Sequence, residues 1–260
     1  LIVMDACRYD ENTASTTVTG GRFTTDRLNW IKEQLHLAKA QGITVFGMMH
    51  HGLMEHYTGQ TQLFAEYVVE DWQTLHKTLA DSSMKAVFTG HFHANDVVKG
   101  YGTASGKYIY DIETGSTVTY PCPYRLVTVT KEDNSYSTLS VQTKQTTNVS
   151  GDFGGKTFAQ YAKDYIKSGL NGIITVMLTS MYGLSAQDAQ FPAQLLTDAM
   201  MAHYAGDENA SSETLGYINA LLQNPSTTYQ TLGMMLTSLW TDLPTADNNL
   251  IIDLKTGAIK

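Results

Sequence analysis

The residues best suited to chemistry lie in two short stretches, "VFGMMHHGL" at 45–53 and "VFTGHFHAND" at 87–96. In each, an apolar run of strand character leads into histidine. His50 follows Ile43 to Met49, and His91 and His93 follow "KAVFT" and Gly90. In open α/β sheets, ligands collect just beyond the carboxyl ends of strands, where side chains from different strands reach one point. Imidazole is the usual nitrogen ligand of zinc, manganese and iron. The two-residue spacing predicts that the His91 and His93 rings face one side while Phe92 packs on the other. Gly90 is expected to give the chain room to turn. Two rings aimed together after a glycine suit one or two cations.

The other histidines read as ordinary hydrogen-bonded residues: His36, His76 and His203 in helical patterns, His56 in a loop. Glu55 is the nearest carboxylate after His50, but its spacing matches no mononuclear zinc hydrolase arrangement, which would need a catalytic acid close by.

Around these stretches the first half of the chain alternates strand and helix. Leu1 to Met4 is a buried-strand pattern. From Thr24, Leu28, Ile31, Leu35 and Ala38 recur at helical steps, and Gly42 stands where the helix would stop. A second helix is expected over 61–80, with Phe64, Tyr67, Val68, Trp72, Leu75 and Leu79 on one face. "KYIYDI", "STVTY", "YRLVTVT" and "STLSVQT" then read as an antiparallel meander.

Between 134 and 156 the chain turns polar, which sets an expected boundary near residue 150: an α/β unit over 1–150 and a mainly α-helical region over 151–260. There Phe158, Tyr161, Ala162, Tyr165 and Ile166 form one predicted face, and "LNGIITVMLTSMYGL" from Leu170 reads as a buried helix. Pro192 through Ala205 forms another helix, and Asn224-Pro225 is expected to open a third. "NNLIIDLKTG" closes the chain as a strand and turn.

The net charge of −8 and sequence pI near 5.4 exclude a general nucleic-acid binder, which needs a basic stripe. No stretch reaches the ~20 apolar residues of a transmembrane span. The two cysteines, Cys7 and Cys122, exclude a disulfide framework and a multi-thiolate metal site; they admit one bridge or, more ordinarily, two separate thiols. The Thr-, Ser-, Asn- and Gln-rich composition suits an extracytoplasmic protein, such as one of a bacterial envelope.

Taken together, "VFGMMHHGL" and "VFTGHFHAND", with His91 standing 41 residues after His50, resemble the last two motifs of the calcineurin-like metallophosphoesterases. The helix "TTDRLNWIKEQLHLAKAQG" and the segment "ETGSTVTYPCPYRLVTV" sit where that family has its neighbouring elements. The resemblance covers about residues 1–145. It implies an α+β sandwich and a dinuclear centre of manganese, iron or zinc, at which metal-bound hydroxide attacks a small phosphate ester. On the family pattern His50 and His91 would ligate one metal and His93 the other. His91 would also serve catalysis, and His51 would lie behind the ligands or face substrate. Gly52 stands where many members have proline.

The family's earlier motifs, which carry the bridging aspartate and an asparagine ligand, have no counterpart here. Asp5 follows an apolar strand but lacks the Asp-x-His pattern. These ligands are therefore expected in a segment upstream, the first half of the fold being absent from this sequence. One metal or none is expected in these residues alone, without catalysis. An incomplete sheet edge is expected to favour a homodimer. The competing reading keeps the fold as an inactive binding or scaffold module, with partners on the helical region.

Overall fold

The computed structural model describes residues 1–133 and 135–260. In chain order they form β1 (Ile2–Val3), α1 (Thr25–Ala40), β2 (Val45–Met48), α2 (Gln60–Leu63), α3 (Trp72–Asp81), β3 (Met84–Thr89), β4 (Val97–Tyr101), β5 (Tyr108–Glu113), β6 (Pro123–Glu132), β7 (Ser135–Gln145), α4 (Phe158–Ser180), α5 (Ala186–Ala205), α6 (Ser212–Leu222), α7 (Thr227–Leu239) and β8 (Asn249–Asp253). The fold is α/β with a helical region, as the pattern predicts.

The apolar runs before the histidines become β2 and β3, which are central and parallel. The first sheet runs β1-β2-β3-β5-β4, parallel except for β4. On one face α1 and α3 bury Ile31, Leu35, Leu75 and Leu79 against Val45, Met84 and Val87. The other face packs Tyr110 and Ile112 on Leu139, Val141 and Ile252 of the second sheet, whose order is β6-β7-β8. Strand β8 thus joins a sheet begun before residue 150, pairing antiparallel with β7. Helices α4, α5 and α7 build a third core that includes Tyr57, Phe92 and Ala94, so the helical region rests on the loop bearing His91 and His93. Among the described residues, no helix is long and apolar enough to cross a membrane.

Several expectations change. Helix α1 forms where its periodicity predicts, with the Thr24 hydroxyl accepting from Arg27 N. The helix expected over 61–80 is split. Residues 67–69 pair with Gly52, whose N–H donates to Tyr67 O at 3.0 Å while Val69 N donates to Gly52 O at 2.9 Å. Helical geometry there would give up both bonds. The expected meander is also corrected: β5 inserts between β3 and β4 in the first sheet, and 116–120 is turn rather than strand.

The segment from Leu170 is helical but only partly buried. Ile174 and Leu178 face the core while Ile173 is 70% exposed and Val176 64%, because only one stripe of α4 meets α5. Tyr161 and Tyr165 of the predicted α4 face are exposed as well. The N-cap position of α7 is Ser226, which makes no side-chain capping bond, rather than Asn224, whose side chain accepts from Ser226 N. Cys7 and Cys122 are separate free thiols.

Candidate metal centre

The hydrogen bond from Gly90 N to His50 O, 3.0 Å, extends the parallel pairing of β2 and β3 past their ends and holds the two histidine loops side by side. There the His50 and His91 ring centroids are 4.5 Å apart, His51 and His91 4.8 Å, and His50 and His51 5.4 Å. His50 Nε2 and His91 Nδ1 share a hydrogen bond of 3.0 Å. His51 is buried and its Nε2 donates to Thr19 O at 2.9 Å. The "TGG" loop makes this close approach feasible, since a Cβ on Gly21 would lie 2.6 Å from the His51 ring. His93 stands apart from these three rings: its Nδ1 meets the Thr119 hydroxyl at 3.0 Å and its ring neighbours Tyr204.

The geometry of the His-x-His stretch differs from the strand-like alternation expected. His91 and His93 both adopt left-handed backbone, with φ of 78° and 65°, whereas Gly90 does not. A Cβ on Gly90 would make only ordinary contacts, so the turn's conformational cost falls on the two histidines. Phe92 is buried, as predicted, against Tyr57, Phe64 and Tyr67.

Burial, helped by the neighbouring His51 and His50, pushes His91 down to about 4. Burial lowers His93 and His51 in the same sense, and on His51 it outweighs the opposing hydrogen bond to Thr19 O. These three rings are neutral at neutral pH, the form in which imidazole ligates a metal. Two buried ring nitrogens, His91 Nε2 and His51 Nδ1, have no hydrogen-bond partner. Neutral imidazoles are the donor type that zinc, manganese and iron take, but as the rings stand no three of them present nitrogens close enough to share one cation. They do not by themselves fit a carboxylate-bridged pair. The expected convergence is not found: among the described residues, His50, His91 and His93 do not bring one nitrogen each within 4.8 Å of one another, and no carboxylate completes such a group with them.

The carboxylates that matter to the site lie behind it, and none of them was expected from the sequence. Asp111 on β5 is fully buried; its Oδ2 accepts from Leu53 N at 2.6 Å and Met54 N at 2.9 Å, and its Oδ1 accepts from the Thr89 hydroxyl at 2.5 Å. Glu113, two residues on, accepts from Phe92 N at 3.1 Å. One strand therefore anchors both histidine loops. Between them sits His56, expected to be an ordinary loop residue but buried, with ring nitrogens 3.2 to 3.5 Å from Asp96, Asp111 and Glu113. Burial alone would lower His56, but Asp96 and Asp111 overcome it and hold the ring well above its usual value, as an imidazolium. Burial raises Glu113 to about 8. A sequence signal existed: Asp111 and Glu113 alternate within an apolar strand, so both fall on one face, and buried carboxylates demand partners.

Asp96, Asp242 and Asp247 bring one oxygen each within 4.8 Å of one another on the far side of this network. Burial, with Asp96 alongside, pushes Asp247 up to about 9. A proton held by Asp247 toward Asp96 accounts for their proximity.

Glu55, His76 and His203 have structural partners. Glu55 accepts from Thr61 N at 2.8 Å, His76 Nδ1 donates to Trp72 O, and His203 Nε2 donates to Leu239 O.

In fold, the chain is similar to a dimetal phosphatase from Danio rerio, with 16% identity and a TM-score of 0.36 over 48% of this chain and 36% of that one. It is also similar to a purple acid phosphatase from yellow lupin (Lupinus luteus) seeds, with 10% identity and a TM-score of 0.31 over 53% and 28%. The chain spans about a third of the length of the structures it matches. No protein-family model matches it. No curated protein sequence matches it.

Proposed function

We propose that this chain contributes the histidine side of a metal-dependent phosphoesterase site, with His50, His91 and His93 as metal ligands and His51 bracing them from behind. The observation that carries this reading is the mutual packing of the His50, His51 and His91 imidazoles, two with a free ring nitrogen, at the carboxyl ends of adjacent parallel strands. A bound cation there would supply Lewis acidity toward a phosphoryl oxygen and make water more acidic.

The chain's own residues supply position. Asp111 fixes the backbone after His50 and His51, Glu113 fixes Phe92 between His91 and His93, and Thr19 O orients the His51 ring. Thr119 does the same for His93. Such support matters because ligand rings that wander lose affinity, typically 10–100-fold when an outer partner is removed. Dinuclear chemistry would draw its bridging carboxylate from elsewhere in the whole protein, and residues 1–260 alone are expected to hydrolyse nothing.

The test is phosphatase and phosphodiesterase assay, with manganese, of the whole protein containing this chain. His91→Ala is expected to lower kcat/KM about 100-fold or more. Equal activity in the two proteins would refute the assignment.

A further inference from the structure

Beside His91 and His93 the structure holds a partly open cavity of about 310 Å³, lined on its other sides by α4, α5 and α7 together with Phe64 and Tyr67. Its polar lining is confined to the His91 and His93 imidazoles and two tyrosines; among the described residues, no Asp, Glu, Lys or Arg lines it. The rest is apolar, and three of those positions are methionines, Met177, Met200 and Met235. Methionine side chains are flexible and polarizable and shape themselves to variable apolar guests. A cavity of this kind, lined by two histidines, two tyrosines and otherwise apolar side chains, matches an amphiphilic molecule better than a nucleotide or sugar, whose many hydroxyls would find few partners there.

We propose that the helical region forms an acceptor pocket for the apolar arm of an organic phosphate, holding a substrate whose phosphoryl end lies at His91 and His93 and whose alkyl or aryl group enters between α4, α5 and α7. This rests on the phosphoesterase reading for the phosphoryl end, while the apolar pocket stands on its own lining. The two halves predict different dependences. Each methylene entering the pocket raises affinity about fourfold, the factor given by ~0.8 kcal/mol per buried CH₂. The gain stops when the pocket is full.

The experiment is isothermal titration of the chain, with manganese present, using n-alkyl phosphates from ethyl through dodecyl and the matching alcohols. The expected result is affinity climbing with chain length and then levelling. In Met177→Trp, which fills space from a half-buried position, the levelling should come at a shorter chain with the initial slope unchanged. Circular dichroism of that variant checks that it folds, and Ile173→Asp, at an exposed position lining the same cavity, provides a second variant expected to flatten the slope. His91→Gln should weaken all the phosphates by a common factor and leave the slope intact. Affinity independent of chain length overturns the pocket. Alcohols binding as tightly as phosphates would instead overturn the phosphoryl end, and with it the phosphoesterase reading, while leaving the apolar pocket standing.

Discussion

Replacing Asp111 by alanine should uncouple the His50–His51 loop from the sheet. In the native fold the Asp111 carboxylate is fully buried, accepts from Leu53 N, Met54 N and the Thr89 hydroxyl, and lies 3.2 Å from His56 Nε2. Alanine leaves the two backbone N–H groups without their acceptor, at about 1–3 kcal/mol each. It also deprives the His56 imidazolium of one of its three acidic neighbours. Part of the cost is recovered when water or the neighbouring acceptors shift, so the expected loss is about 3–5 kcal/mol, the range seen when one member of a buried ion pair is removed. At about 2–4 °C per kcal/mol for a chain of this size, Tm should fall by roughly 10 °C. Asp111→Asn keeps one oxygen for the N–H groups but loses the charge beside His56, and about half the penalty is expected. Thermal unfolding gives the magnitude, and hydrogen exchange at Leu53 and Met54 gives the location. A loss under about 1 kcal/mol, with exchange at those amides unchanged, would refute the anchoring role.

Two further outcomes follow from the same network. Glu113 is raised to about 8 in the folded state from an ordinary value of 4.5, so between these limits the folded chain holds a proton that the unfolded chain has lost. Stability must therefore fall as pH rises through that window. His56, also raised, acts in the same direction: its contribution is complete below about 6.5 and is lost as pH climbs through its folded value. Glu113→Gln should flatten the decline of Tm between pH 5 and pH 8 without abolishing it, as measured by thermal melts across that range. Gly21→Ala places a methyl group 2.6 Å from the His51 ring, so the ring must move; a cost of about 1–3 kcal/mol and a shift of the His51 imidazole NMR signals are expected, and an unperturbed His51 would count against the close approach.

Local chemistry made some elements legible and hid others. Helix α1 was readable because Leu28, Ile31, Leu35 and Ala38 mark its buried side and Thr24 supplies its cap. The parallel strands were readable because they are short apolar runs, and the histidines because those runs end on them. The break between α2 and α3 was not, since it depends on Gly52 pairing with residues 67–69, a partnership invisible within any local window. The same holds for β5: "KYIYDI" has strand character, but nothing in it specifies parallel pairing with β3 rather than a meander. In α4 composition misleads. Ile173 and Val176 are apolar yet exposed, because burial is decided by which stripe meets α5. The left-handed backbone of His91 and His93 was hidden because Gly90 looked like the residue able to turn. The anchoring carboxylates stood in plain view as Asp111 and Glu113, but their importance emerges only when His56, Asp96 and the two histidine loops arrive from distant parts of the chain.

The central claim, that His50 and His91 ligate a cation, is tested most directly by X-ray absorption spectroscopy of the zinc-loaded chain. Shared ligation predicts a shell showing imidazole scattering, diminished in His50→Ala and again in His91→Ala. A shell of oxygen alone, unchanged by either substitution, would place the metal elsewhere and contradict it.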